Sequence, residues 1–235
     1  METKQNAGTL FAVGVGPGKA ELLTLWGAET LRRCPVIAAP RTAGGKMLAL
    51  EIAEKAVPLH SKTILALDFA MKRSEAAREP AYETAVRQLQ AVLDAGQDAA
   101  LVNLGDVSIY ASAQYLLQKL SAKGYRTVMV PGVPSFCAAA ARLGISLTEL
   151  HSPVHLVPGA AKLETALEWP GTKIVMKSGR ELPQVLETLR VRGLLGKSAL
   201  VCDCGLPGER VWPNLAQSAP AAGESGYFAL LIVKE

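Results

Sequence analysis

Two short apolar runs in this chain end in glycine, the residue that lets main chain come close to a ligand. Thr9-Leu10-Phe11-Ala12-Val13 runs into Gly14-Val15-Gly16-Pro17-Gly18, and Ala99-Ala100-Leu101-Val102-Asn103 runs into Leu104-Gly105-Asp106. Glycine has no Cβ and tolerates φ > 0, so two buried strands ending this way imply a crevice in which backbone approaches a small molecule. Neither loop is a nucleotide fingerprint. A dinucleotide G-x-G-x-x-G would need glycine at position 19, where lysine stands, and Pro17 intrudes. Gly196-Lys197-Ser198 is like the end of a phosphate loop, but Val191 stands where its first glycine is required.

Metal and redox chemistry find little support. Cys34, Cys137, Cys202 and Cys204 contain no C-x-x-C pair, which argues against a disulfide framework and a tetrahedral zinc site. His151 and His155 are four apart, but Ser152-Pro153 between them opposes the helix that would aim both rings at one ion. No metal is expected. Cys202 and Cys204 alternate with Asp203, so they should share one face of a strand as core residues.

The 235 residues suffice for two domains of unequal size, and 49% of them are apolar. No run approaches the roughly 20 residues that span a bilayer. The longest uncharged stretch, Thr127 to Ala141, is interrupted by Pro131, Gly132 and Pro134. Residues 1–6 lack the apolar core of a secretory signal, so the expected location is cytoplasmic, with no membrane partner. The net charge of +4 suits an anionic ligand. The cations are spread rather than gathered in a stripe and aromatics are only 5%, so a polycarboxylate fits and nucleic acid is not expected as a partner.

The elements that must position the glycine loops follow from periodicity. Glu21 to Arg33 reads as a helix with Leu22, Leu25, Trp26, Glu29 and Arg33 at helical spacing and with Trp26 in the core. Pro35 stops it and Val36-Ile37-Ala38-Ala39 resumes as a strand. Helices are predicted at about Gly45–Ala56, Glu75–Ala95 and Tyr110–Ala122, and strands at Thr63–Leu67, Ala99–Asn103 and Arg126–Val130. Such alternation predicts an α/β fold whose N-terminal parallel sheet carries helices on both faces. The second half is a mixed sheet with strands at Val154–Val157, Lys173–Met176 and Ala199–Cys202. Its tail, Glu209–Trp212 and Tyr227–Val233, should be antiparallel, as a returning edge or hairpin. The boundary is placed near residues 144–152, giving domains 1–148 and 149–235.

With these pieces in place the chain resembles, nearly end to end, the cobalamin-pathway tetrapyrrole methyltransferases, which use S-adenosylmethionine. The resemblance rests on V-G-V-G-P-G followed by Glu21-Leu22-Leu23-Thr24-Leu25, on Leu104-Gly105-Asp106, on Val130-Pro131-Gly132-Val133 opening a helix, and on Met176-Lys177-Ser178-Gly179-Arg180. Asp68-Phe69-Ala70-Met71, Leu104 to Tyr110 and the Met-Lys-x-Gly-Arg segment look most like the enzymes that methylate C20 of precorrin-2 or its cobalt form. The resemblance implies a two-domain fold with the cofactor in the cleft between the domains, a tetrapyrrole substrate in an open trough, and a homodimer. Carried over by position, Pro17 lies in the first loop, and Leu104, Gly105, Asp106 and Ile109 line the methionine end of the cofactor. Pro134, Ser135, Met176, Cys204, Gly205, Phe228, Ala229 and Leu230 match its other contact segments. Three departures stand out: Lys19-Ala20 where Asp-Pro is usual, Val107 where proline is usual, and Pro134 where serine is usual, which removes an N–H and a hydroxyl.

Methyl transfer from a sulfonium is an in-line displacement, so holding nucleophile and methyl within about 3.5 Å should dominate. The C20 proton must then leave. Asp106 is the first candidate to take it and Lys177 the second, while the other reading of Asp106 is a loop or helix cap. Lys177 and Arg180 are alternatively partners for substrate carboxylates, and Lys46, Lys72, Arg73 and Arg78 read as solvated cations. Rival readings keep the fold but methylate RNA ribose, the modified histidine of elongation factor 2 or another tetrapyrrole position, or drop catalysis for effector binding.

Overall fold

The computed structural model describes residues 4–68, 75–221, 224 and 228–234. Two compact units emerge, Met1–Pro134 and Ser135–Glu235. Among the described residues no helix is long and apolar enough to cross a membrane.

The first unit runs β1 (Leu10–Gly14), α1 (Leu25–Arg33), β2 (Val36–Arg41), α2 (Leu48–Ala56), β3 (Thr63–Asp68), α3 (Glu75–Asp94), β4 (Ala99–Asn103), α4 (Ala113–Ala122) and β5 (Thr127–Val130). Its strands form one sheet in the order β3-β2-β4-β1-β5, and every pairing is parallel. The strand order steps out and back from β1, so the chain ends leaving β1, β4 and β5 sit side by side on one edge. Leu10, Ala12, Ala38 and Leu101 pack with Leu89 and Leu93 of α3 and Leu116 and Leu120 of α4. The other face is covered from the opposite side: a Cβ built on Gly27 of α1 would lie 3.4 Å from Cγ1 of Val13. Both faces are buried, which is why β1 and β4 read as continuous apolar runs without alternation.

Helix starts shift from the predicted positions, and the caps explain why. Thr24 Oγ1 accepts the Gly27 N–H at 3.0 Å, so α1 begins at Leu25 rather than Glu21, after a single 3-10 turn over Ala20–Leu22. The buried stripe becomes Gly27, Ala28, Thr30 and Leu31. Trp26 is therefore half-exposed instead of core, and Leu25 is 91% exposed. Tyr110, with φ 48°, breaks the predicted start of α4, which begins at Ala113. The Thr42 N–H donates to the Lys46 carbonyl and the Lys46 N–H to Thr42 Oγ1 across a turn, postponing α2 to Leu48.

The second unit runs α5 (Ser135–Leu143), β6 (Val154–Pro158), α6 (Leu163–Leu167), β7 (Thr172–Met176), α7 (Leu182–Val191), β8 (Ser198–Cys202), β9 (Arg210–Trp212) and β10 (Ala229–Val233). The sheet order is β6-β7-β10-β8-β9, with β6 parallel to β7 and the other pairs antiparallel. The antiparallel tail is present, but β10 is a central strand and not the partner of β9. Its Ala-Leu-Leu-Ile-Val sequence is apolar on both faces, and both are covered. Tyr227, the predicted start of that strand, lies outside the described residues. The expected boundary at 148/149 falls after α5, whereas Ala139 and Ala140 of α5 pack on Ile174, Leu230 and Ile232 of the second sheet. Cys202 and Cys204 part company too. The strand ends at Cys202, Asp203 turns at φ 51°, and Cys202 packs with Leu200 and Leu231 while Cys204 lies against the cluster on the other face.

Replacing the buried Leu101 by alanine should lower unfolding free energy by about 2–5 kcal/mol, whereas Leu25→Ala should stay within about 0.5 kcal/mol of the parent. Urea denaturation of the two variants distinguishes this packing from one in which α1 turns its Leu25-Trp26 face inward.

Candidate active site

The edge where β1, β4 and β5 end is built from main chain. Gly16 N–H donates to the Gly105 carbonyl at 3.2 Å, and Gly105 N–H donates back to the Gly16 carbonyl at 2.8 Å. This reciprocal pair clasps the first loop to the β4 loop. Glycine is required there for contact between loops. A Cβ on Gly14 would stand 2.7 Å from both Gly105 O and Gly132 Cα, and one on Gly132 would collide with Gly105 O and Gly14. Gly105 is different. It is buried, its φ is +72°, and a Cβ built on it meets nothing within 4 Å. The open space beside the main chain at this position is what a ligand pressing on the Leu104-Gly105-Asp106 backbone needs, so the residues present fit a cofactor held at this edge.

Asp106 locks the β5 loop to the β4 loop. One carboxylate oxygen accepts the Gly132 N–H at 2.8 Å, and the other accepts the Ser108 N–H at 2.7 Å and the Ser108 hydroxyl. Burial alone would raise its pKa, but the bonds from Ser108, Gly132 and Val107 together outweigh burial and hold the carboxyl below its usual value. With both oxygens engaged, the geometry equips Asp106 to position loops. Taking a proton would first require breaking those bonds. Asn103, at the end of β4, steadies the same turn through its side-chain N–H groups, which donate to the Leu104 and Asp106 carbonyls at 2.9 and 3.1 Å.

Of the other expected contact residues in the first unit, Pro17 is buried in the β1 loop, while Leu104, Ile109 and Pro134 are half-buried. In the second unit Ser135 opens α5, Met176 ends β7, and Lys177 and Arg180 are exposed in the turn that follows. Cys204 and Gly205 lie just past β8, where the Gly205 N–H donates to a Glu209 oxygen at 2.7 Å. Phe228 precedes β10 and its carbonyl accepts the Asp203 N–H, while Ala229 and Leu230 begin β10 facing opposite sides of the sheet. Tyr110, Lys177 and Asp203, three of the four non-glycine residues with positive φ among the described residues, fall in these same segments. Strain of this kind concentrates where structure is held for function.

Sequence reading singled out other cations but missed Arg41. It ends β2 on the edge shared with the β4 loop, and its guanidinium grips Asp68 of β3 through two bonds of 2.7 Å. Both side chains are exposed, at 41% and 69%. The visible signal was a lone Pro-Arg closing an apolar strand, which the strand pattern alone does not distinguish from solvation. Phe69, Ala70 and Met71 of the predicted motif, and Lys72 and Arg73, lie outside the described residues, as does the side chain of Arg78.

Substituting Asp106 by asparagine should destabilise the protein near pH 7, since one oxygen becomes an N–H donor facing N–H groups. A carboxyl with a depressed folded-state pKa stabilises above its unfolded value, about 3.9, and loses that contribution as pH falls through the folded value. Thermal melts of both proteins should therefore converge on acidification below pH 4. A gap that stays constant with pH would contradict the tether.

Comparison with known proteins agrees with this architecture. Residues 9–220 match the model of the Tetrapyrrole (Corrin/Porphyrin) Methylases. The cobalt-precorrin-2 C(20)-methyltransferase of Salmonella typhimurium is 27% identical over 88% of this chain and 89% of its own length. The precorrin-2 C(20)-methyltransferase of a Sinorhizobium species is 26% identical over 96% and 95%. A precorrin-4 C(11)-methyltransferase of Mycobacterium tuberculosis is 32% identical over 67% of this chain and 53% of its own length. Among solved structures, the uroporphyrin-III C-methyltransferase of Thermus thermophilus complexed with S-adenosylhomocysteine shares the fold, with a TM-score of 0.69 at 20% identity and coverage of 97% and 98%. Methylases of this family use S-adenosylmethionine. From residue 9 to residue 220, then, the chain belongs to the tetrapyrrole (corrin/porphyrin) methylase family.

Proposed function

We propose that this protein transfers a methyl group from S-adenosylmethionine to C20 of precorrin-2 or its cobalt form in cobalamin biosynthesis. The observation that carries the donor site is the β1/β4/β5 edge, where interlocked glycine loops leave open space beside Gly105. The choice of C20 is supported by the two C(20) enzymes, which align with this chain over most of both lengths, against about half the length of the C(11) enzyme.

When bound, S-adenosylmethionine supplies a methyl group on a positively charged sulfur. The chain's own contribution is orientation. Leu104, Gly105 and Ile109 hold the methionine end, and Asp106 keeps the loop that carries them in register with Gly132. An attacking carbon held in line at about 3.5 Å has most of its orientational freedom removed beforehand. Precorrin-2 is a polycarboxylate, and Arg41 offers a guanidinium on the same edge of the sheet. Its present partner Asp68 is exposed, and an exposed ion pair is weak and screened by solvent, so a substrate carboxylate can take its place at small cost. Lys177 and Arg180 are further cations for such groups.

Incubation with S-adenosylmethionine and precorrin-2, followed by mass spectrometry that locates the label, should show one added methyl at a meso carbon. A methyl at C11, or none, would refute the assignment. Arg41→Ala should raise the KM for the tetrapyrrole about tenfold and leave kcat within about twofold, the mark of a lost binding contact. An unchanged KM removes Arg41 from the substrate site.

A further inference from the structure

Lys173 is buried in the second unit without an ion-pair partner among the described residues. It is the second residue of β7, at the end of that strand away from Met176, and only 4% of its surface is exposed. No described residue hydrogen-bonds or ion-pairs with its ammonium group. Lys173 is one of the residues lining a cavity of about 330 Å³.

The cavity is built to be positive. Lys197 and Lys234 also line it, and the Lys234 backbone N–H donates to the Lys197 carbonyl at 2.8 Å, which holds the two segments together. The Lys234 ammonium spends one proton on the Ser146 carbonyl at 2.9 Å and keeps two. The carboxylate lining the cavity, Glu168, is already claimed by Arg192 at 2.6 Å. Three lysines thus line one small volume, and the carboxylate among its described lining residues is paired with an arginine. Trp169, half-exposed and tilted at 52° to the His155 ring with ring centres 5.0 Å apart, forms an apolar wall.

We propose that this cavity is a binding site for a compact polyvalent oxyanion, inorganic phosphate or a phosphate monoester, with Lys173, Lys197 and Lys234 as its ligands. Lysine serves phosphate as a mobile point charge and does not demand the planar, two-pronged partner that arginine does. The volume is at the small end of ligand sites, enough for a phosphate and a modest ester group against the indole. Nothing in the site depends on methyl transfer, so it stands or falls separately from the activity proposed above.

Titration calorimetry of the full-length protein with inorganic phosphate, at ionic strength held constant with chloride, tests the site. Saturable 1:1 binding is expected, weakening as sodium chloride is raised from 0.05 to 0.5 M, at about the slope of a multi-lysine contact. Lys173→Met, which keeps the buried stem and removes the charge, should weaken binding at least tenfold with an equal or higher melting temperature. Lys197→Ala alters only an exposed side chain and should weaken it several-fold, so the test survives if the first variant does not fold. Absence of saturable binding at millimolar phosphate, or equal affinity in the parent and Lys197→Ala, overturns the proposal.

Discussion

Three chain reversals share one small volume at the edge of the first sheet, and no side chain fits between them. The backbones of Gly14, Gly105 and Gly132 stand so close that a single added carbon on the first or third would strike a neighbouring carbonyl. Everything proposed for this edge depends on that closeness. It brings the β1, β4 and β5 loops into hydrogen-bond contact through Gly16, Gly105 and Asp106, and it leaves a gap only where Gly105 turns outward. The carboxylate of Asp106 replaces the side-chain packing these glycines cannot supply, tying two loops with one group.

The sheet beneath makes the edge rigid. Parallel pairing aligns the ends of β1, β4 and β5, and apolar helices cover both faces, so the strand ends cannot slip past one another without exposing Leu10, Leu101 or Val13. The second unit solves a different problem. Its mixed sheet places β10, the last described strand, at the centre, so the chain's C-terminal residues complete the core begun by β7 and β8. Both of its faces are apolar, yet Lys173, near the start of β7, is buried and lines the cavity there.

The parallel sheet and the glycine-ended loops were legible because buried strands leave unbroken apolar runs and because glycine after such a run has few other uses. Helix starts were not, since one threonine side chain can shift a cap by several residues and rotate the buried stripe, as Thr24 does beneath Trp26. Nor does an apolar run say where it sits in a sheet: Ala229–Val233 reads equally as an edge that happens to be apolar or as the centre it is. Asp203 shows a third limit, because a single residue in the left-handed region ends the alternation that would have put Cys202 and Cys204 together. Arg41 and Lys173 carried no local signal that set them apart from ordinary strand cations. Their meaning comes from neighbours distant in the chain, Asp68 in one case and Lys197 and Lys234 in the other.

Gly105→Ala isolates the central claim, because the new methyl would enter the open space without touching protein and the left-handed backbone would cost about 1–2 kcal/mol. Calorimetry with S-adenosylhomocysteine on the folded variant should show affinity reduced at least tenfold while circular dichroism stays that of the parent. Binding as tight as the parent's would mean that the donor does not lie against this edge.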